Sequence, residues 1–278
     1  MQDYLNHSFS TDDFDLVSVI DELPLWSAPF GLGLLDTIKL KPNCFALDIG
    51  CGLGFPMIEL AFRLGSTGKV FGIDLWKRAI ERVNLKIKIL NIKNTEVVEG
   101  VAERLPFEDK YFDLIVSNNG LNNVEDLKIS LYECSRVSKP GAQLVITFNL
   151  ENTMMEFYIV FEEVMRENNL KDEIQKMKVQ IYSKRKPISE FETLLKETGF
   201  GIKNIKHSSF KMDFLDGATM LNHYLIKYWF LPGWKEILKI EDQERIFDKV
   251  EKKLNRLSDG KGCFTLTVPY VVMDCFKI

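Results

Sequence analysis

Short apolar runs alternate with amphipathic stretches along the first half of the chain. Phe45-Ala-Leu-Asp-Ile, Lys69-Val-Phe-Gly-Ile-Asp74, Glu96-Val-Val-Glu-Gly100, Leu114-Ile-Val-Ser117 and Gln143-Leu-Val-Ile-Thr-Phe148 are short and mostly apolar. Strands buried on both faces of a parallel sheet have this character. Between the first two, Met57, Ile58, Leu60, Ala61 and Leu64 fall on one side of a helix that Pro56 opens and Gly65 and Gly68 close. A second helix is predicted from about Leu127 to Val137, before Ser138-Lys-Pro-Gly141. Farther on, the pattern predicts a helix over Ile188–Glu197, a sixth strand over Ile202–Met212 and a last strand over Cys263–Met273. Strands alternating with helices indicate an α/β sheet covered on both faces.

The first turn of this array carries the most chemistry. Gly50, Gly52 and Gly54 alternate with Cys51 and Leu53, directly after Asp48-Ile49. Glycine serves where φ is positive or a ligand approaches the backbone. Glycines at the first βα turn bind nucleotides, and the dinucleotide fingerprint needs them at positions one, three and six. Position six here is Phe55, so the spacing is G-x-G-x-G. The third close glycine leaves a wide, flat loop against which an amino-acid moiety can lie. Asp48 is placed to hold the loop or a bound ammonium. Asp74 follows Gly54 by 20 residues, at the end of the second strand, where a carboxylate accepts from both ribose hydroxyls.

Leu47-Asp-Ile-Gly-Cys-Gly-Leu-Gly54 and Val70-Phe-Gly-Ile-Asp74 resemble the first two motifs of the class I S-adenosylmethionine-dependent methyltransferases. The resemblance implies a Rossmann-like sheet of seven strands, mostly parallel with an antiparallel last strand and helices on both faces. It also implies S-adenosyl-L-methionine as cofactor and S-adenosyl-L-homocysteine as product. Val101-Ala-Glu-Arg-Leu-Pro-Phe107 is similar to the family's adenine-contacting segment, with Val101 in place of the usual aspartate. One adenine hydrogen bond is then missing, or Glu103 makes it; the Ala102 N–H stays available. A net hydrogen bond is worth about 0.5–1.5 kcal/mol, so this departure weakens binding by roughly tenfold at most. Leu75 stands where the family covers the adenine face. Trp76 either joins that cover or belongs to the surface of the next helix. Asn118 and Asn119 end the fourth strand, at the carboxyl edge where ligands bind; helix-capping turn residues are the alternative reading. The expected cofactor residues are therefore Asp48, Gly50, Cys51, Gly52, Gly54, Asp74, Leu75, Val101, Ala102, Glu103, Asn118 and Asn119.

Composition narrows the partners. In 278 residues the net charge is −4 with no long basic run, so no nucleic-acid partner is indicated. The N-terminus is polar, with no signal peptide, and no apolar run is long enough for a transmembrane segment. Five cysteines without metal spacing point to reduced thiols, no metal and a cytoplasmic enzyme.

Three segments remain to select a small-molecule acceptor. An N-terminal helical arm, 1–41, carries Asp21-Glu-Leu-Pro-Leu-Trp-Ser-Ala-Pro-Phe30 before a helix over Gly31–Lys39. Trp26 and Phe30 there either touch the sulfonium or acceptor, or cover the sheet. Met154 to Met165 make a broad apolar helix in which Tyr158 is a candidate pocket residue or core packing, and 168–186 reads as exposed. The methyltransferase domain is assigned to 42–213 and 263–278, with a helical insertion at 214–262 between the last two strands. Its Thr219–Leu231 stretch, apolar on nearly all sides and ended by Pro232-Gly233, reads as one helix: a lid or a homodimer interface. A charged amphipathic helix is predicted over Glu241–Leu257. His223 and Tyr224 are the acid–base candidates, with a satisfied core His223 as the alternative.

Methyl transfer needs alignment more than acid–base machinery, since the cofactor carries the reactivity. Asn119-Gly-Leu-Asn-Asn-Val-Glu-Asp126 resembles a Phe-Gly-Leu-Arg-Asn-Val-x-Asp run of quinone-biosynthesis C-methyltransferases, with Asn122 in the arginine's place. That similarity implies a partly hydrophobic acceptor and puts Asn122 in its pocket. A cofactor-binding scaffold that assembles through the Trp229 helix is the competing reading.

Overall fold

A computed structural model of the chain describes residues 3–6, 9–23, 25–260 and 262–278. Pro24 of the aromatic- and proline-rich run, and Met1 and Gln2 of the polar N-terminus, lie outside them. In chain order the elements are α1 (Phe14–Asp21), α2 (Ser27–Thr37), β1 (Phe45–Ile49), α3 (Met57–Leu64), β2 (Lys69–Asp74), α4 (Lys77–Ile89), β3 (Thr95–Glu99), β4 (Phe112–Asn118), α5 (Leu127–Val137) and β5 (Ser138–Asn149). There follow α6 (Met155–Glu167), α7 (Lys171–Lys184), α8 (Ile188–Glu197), β6 (Phe200–Phe214), α9 (Gly217–Asn222), a π-helical turn (Ile226–Phe230), α10 (Leu231–Ile237), α11 (Ile240–Asp259) and β7 (Phe264–Lys277).

The seven strands form one sheet in the order β3-β2-β1-β4-β5-β7-β6. β1 pairs in parallel with both β2 and β4, β4 pairs in parallel with β5, and β7 runs antiparallel to β5. The order reverses at β1, whose carboxyl end therefore opens the crevice where α/β sheets bind ligands. The mostly buried β1, β4 and β5 lie in the middle, while β3, which carries Glu96 and Glu99, forms an edge.

Two compact units divide the chain. A sheet unit takes Ser10–Asn149, Lys186–Ser208 and Tyr270–Ile278; a helical unit takes Met1–Phe9, Leu150–Arg185 and Ser209–Pro269. Residues 214–260 thus fold with α6 and α7, and the described residues 3–6 and 9 belong to the same unit.

In the sheet unit, α2 buries Phe30, Leu34 and Leu35. Phe30 packs on Tyr270 of β7 at 4.7 Å between ring centroids, and the Tyr270 hydroxyl donates to the Pro29 carbonyl. On α8, Phe191 stacks on Phe148 of β5 at 4.0 Å.

Two sequence expectations fail in the helical unit. Thr219–Leu231 is not one helix: α9 ends at Asn222, His223 is extended (φ −63°, ψ 136°), and a π turn precedes α10. Pro232 does not stop a helix; it sits in the first turn of α10, where its missing N–H has no intrahelical partner to lose. The all-round apolar pattern arises because these short pieces bury Met220, Leu221, Leu225, Ile226, Leu231, Trp234 and Ile237 in turn. Segment 168–186 is also not simply exposed, for α7 buries Ile174 and Met177, and Arg185 beyond it is buried too. Charged residues along the helix, Lys176 and Lys178 beside Met177 among them, masked an apolar stripe. Of the described helices, none is long and apolar enough to cross a membrane.

Candidate active site

The glycine loop is tied to β2 by its backbone. The N–H groups of Gly50 and Cys51 both donate to the Ile73 carbonyl, at 2.9 and 3.2 Å. Gly50 has φ +71°, and a Cβ there would stand 2.7 Å from the Gly120 Cα. Only glycine permits this approach of the loops after β1 and β4. Ser117 secures the same junction, its hydroxyl donating to Ile49 O (2.8 Å) and accepting from Leu121 N (3.0 Å). By contrast, a Cβ on Gly52 (φ +48°) would meet nothing within 4 Å. The loop therefore has a crowded foot and an open crest.

Two carboxylates flank the loop, in different states. Asp74 is pinned: one oxygen accepts from Gly52 N and the other from Trp76 N, each at 2.8 Å. Each oxygen keeps a further lone pair for another donor. Asp48 is fully buried, and neither oxygen has a hydrogen-bond partner. Burial pushes its pKa well above the ordinary carboxylate range, and the Asp74 charge adds to the effect. The opposing influence is the Met57 N–H at the head of α3, which does not close a hydrogen bond on either oxygen. A carboxylate left in this state lacks a positive partner.

At the end of β4 lies an amide cluster. Asn118 accepts from the Thr147 hydroxyl and donates to Ser27 O, both at 3.0 Å. Asn119 adopts φ +61°, and its N–H donates to Thr147 O. The Asn122 amide donates to Asn119 Oδ1 (3.1 Å) and Asn149 Oδ1 (3.0 Å). The Asn119 Nδ2 is buried without an acceptor. An unpartnered acid and an unpartnered amide donor, on loops that touch at Gly50 and Gly120, suit the ammonium and carboxylate of an amino acid.

Apolar cover is present beside the acid. Leu75 is 68% exposed and Val101 42% exposed, while Ala102 is buried. Gly100 N donates to Asp74 O at 2.9 Å, so Val101 follows directly on the acid's own peptide. Glu103 spends one oxygen on Glu125 N (2.7 Å) and Asp126 N (3.0 Å), which makes it a clasp on the loop before α5. The Trp76 indole N–H donates to Thr11 O (2.8 Å), so this residue is held against the N-terminal arm. Cys51 is buried and its thiol is pushed well up by burial and by Asp48, leaving no reactive thiolate.

Phe30 is fully buried against Tyr270 and Trp26; Trp26 lies 5.3 Å from it and is half-buried. Tyr158 lies in the helical unit, its hydroxyl accepting from Trp234 Nε1 at 2.9 Å. His223 belongs there too, between Phe214 (5.2 Å) and Tyr224 (4.6 Å), with a buried, unpartnered Nδ1. Burial lowers its pKa and keeps the ring neutral.

Sequence reasoning missed the strap that holds the loop. The Asp21 carboxylate, at the end of α1, pairs with Arg82 (2.8 Å) and Lys86 on α4, and Lys86 Nζ also donates to Leu53 O at 2.6 Å. Arg78 donates to Asp12 O at 2.9 Å. Only the Arg82/Lys86 spacing on one helix face hinted at this, since the partners lie 61 and 65 residues away in sequence.

The sheet order, the glycine crest and the paired acids define a class I, Rossmann-like methyltransferase site. Residues 40–200 match the family model described as a methyltransferase domain, more than half of the chain, and the protein belongs to that family. A demethylmenaquinone methyltransferase of Bacillus cereus is 37% identical over 127 residues, 45% of this chain and 54% of the relative. The chain thus spans about half the length of such relatives. Among solved structures, the YcgJ protein from Bacillus subtilis aligns with a TM-score of 0.58 at 16% identity, over 89% of this chain and 97% of that one. A SAM-dependent methyltransferase from Aquifex aeolicus aligns at 0.51 and 20% identity, over 69% and 91%. These likenesses establish the fold.

Proposed function

We propose that this chain transfers a methyl group from S-adenosylmethionine to a small, partly hydrophobic acceptor. The observation that carries the reading is the buried Asp48 carboxylate without a partner, beside a glycine crest and a pinned Asp74. In this reading Asp74 receives the ribose hydroxyls, Asp48 the ammonium and Asn119 Nδ2 the carboxylate of the cofactor. Leu75 and Val101 flank the adenine, and the Ala102 N–H meets its edge. When bound, the cofactor supplies an electrophilic methyl group on a sulfonium.

The chain's own part is alignment and exclusion of water. Asn118 and Asn122 are held by Thr147, Ser27 and Asn149, so they present fixed amides at the strand ends. His223, neutral through burial, and Tyr224 are the groups to take a proton if the acceptor must lose one. The demethylmenaquinone methyltransferase relatives favour a ring-bearing, lipophilic acceptor. Asn122 in place of an arginine sets this chain apart from that group.

Calorimetry with S-adenosylhomocysteine tests the cofactor reading directly. Micromolar binding that weakens strongly in Asp74→Ala is expected. No binding to the unmodified protein sinks the proposal. Incubation with methyl-labelled cofactor and a panel of quinols and phenols then reads out transfer to the acceptor.

A further inference from the structure

The helical unit contains a buried cluster with more hydrogen-bond donors than acceptors. Arg185, immediately after α7, is only 5% exposed. Buried cations are normally paired, because burial without compensation is costly. Among the described residues, its guanidinium makes two long hydrogen bonds and no ion pair. Nη1 donates to Thr153 O at 3.2 Å and Nη2 to the Tyr158 hydroxyl at 3.3 Å. Guanidinium has five N–H donors, so three are unspent. The Tyr158 oxygen also accepts from Trp234 Nε1, which fills both lone pairs and leaves its O–H proton without an acceptor. Glu156, two residues before Tyr158, commits an oxygen to Thr267 N at 3.2 Å. The negative end of α7 offers Arg185 only partial compensation.

We propose that Arg185 and the Tyr158 hydroxyl form an oxyanion site that takes a carboxylate or phenolate oxygen of a small aromatic ligand. One oxyanion would satisfy the spare guanidinium N–H groups and the Tyr158 proton together. Arginine suits this task because its planar fork matches two oxygens at once. The Tyr158 ring, with its centroid 5.1 Å from the guanidinium carbon, and Trp234, stacked on Phe157 at 3.7 Å, hold the cluster rigid. A polar trio among Phe157, Phe161 and Phe247 would otherwise be a poor use of a core, since apolar replacement of a buried ionic group is often neutral or stabilising. A site built on hydrogen bonds also rejects a ligand that lacks the charge.

The test uses the full chain saturated with S-adenosylhomocysteine and follows its melting temperature. Benzoate is titrated against benzamide, its uncharged counterpart, and against inorganic phosphate as a free anion. A saturable rise with benzoate alone is expected. Arg185→Met should abolish that response while melting, without benzoate, at or above the unmodified protein. Tyr158→Phe and Arg185→Lys should each weaken benzoate binding about tenfold, and they carry the test if Arg185→Met does not fold. Equal responses to benzoate and benzamide, or to benzoate and phosphate, overturn the inference. So does a benzoate response that survives in both Arg185→Lys and Tyr158→Phe. Homocysteine-cofactor binding without any benzoate response fails this inference alone; absence of cofactor binding fails the methyltransferase reading.

Discussion

Replacing Asp48 by asparagine should stabilise the free protein and weaken the cofactor complex. The carboxylate is fully buried with both oxygens unpartnered, so ionisation carries the cost of a charge with no compensating bond. Its folded pKa is raised well above the ordinary aspartate value, chiefly by burial. A raised carboxylate binds a proton more tightly in the folded state than in the unfolded one. Its contribution to stability is therefore complete below the unfolded pKa and is lost as pH rises through the folded value. Asparagine has no such loss, so the variant's advantage grows with pH above about 4. An unsatisfied buried polar group costs about 1–3 kcal/mol, and more when charged. At 2–4 °C per kcal/mol for a chain of this size, Asp48→Asn should melt roughly 2–12 °C higher at pH 8 and less so at pH 5. In the complex the sign reverses, because the amide cannot pair with an ammonium. A charge-assisted hydrogen bond is worth about 1.5–3 kcal/mol, so S-adenosylhomocysteine should bind roughly 10- to 150-fold more weakly. Differential scanning calorimetry across pH and titration calorimetry read the two effects separately. Unchanged melting at pH 8 together with unchanged affinity would refute the reasoning.

Asp74→Ala removes the anchor of Gly52 N and Trp76 N as well as the ribose partner, and should cost at least tenfold in S-adenosylhomocysteine affinity by calorimetry. Gly50→Ala and Gly52→Ala should separate packing from binding. The first meets Gly120 Cα at 2.7 Å and should lower the melting temperature. The second has open space, so it should cost only about 1–2 kcal/mol of backbone strain yet block the crest and abolish cofactor binding. Lys86→Met frees Leu53 O and half of the Asp21 clamp; a few-fold rise in the cofactor Kd is expected, with little change in melting. Thiol labelling with Ellman's reagent should leave Cys51 untouched in the native protein until it unfolds.

The sheet and its nucleotide-binding turn were legible in the sequence because their signals are local. A continuous apolar run followed by alternating glycines has few other uses, and α5 and α8 begin and end where the helical pattern places them, at Leu127–Val137 and Ile188–Glu197. The position of Asp74 at the end of β2 follows from the same motif. Periodicity failed for 217–237, since short helices buried on several sides produce the same apolar run as one long helix. It failed for α7 because Ile174 and Met177 are few among many charges.

Other features exist only through distant partners. Asp48 differs from Asp74 in what surrounds it, not in residue type: one carboxylate meets two backbone N–H groups and the other meets none. Lys86 becomes a loop support only when Leu53 and Asp21 reach it. Arg185 reads as one more cation in a run of Lys184, Arg185 and Lys186 until folding buries it beside Tyr158 and Trp234 without a carboxylate. By itself the sequence determined the sheet and its glycine turn, which local backbone geometry and glycine spacing encode. Tertiary structure alone decided which charged groups lie unpaired in the interior, because desolvation depends on neighbours that the linear chain keeps far apart.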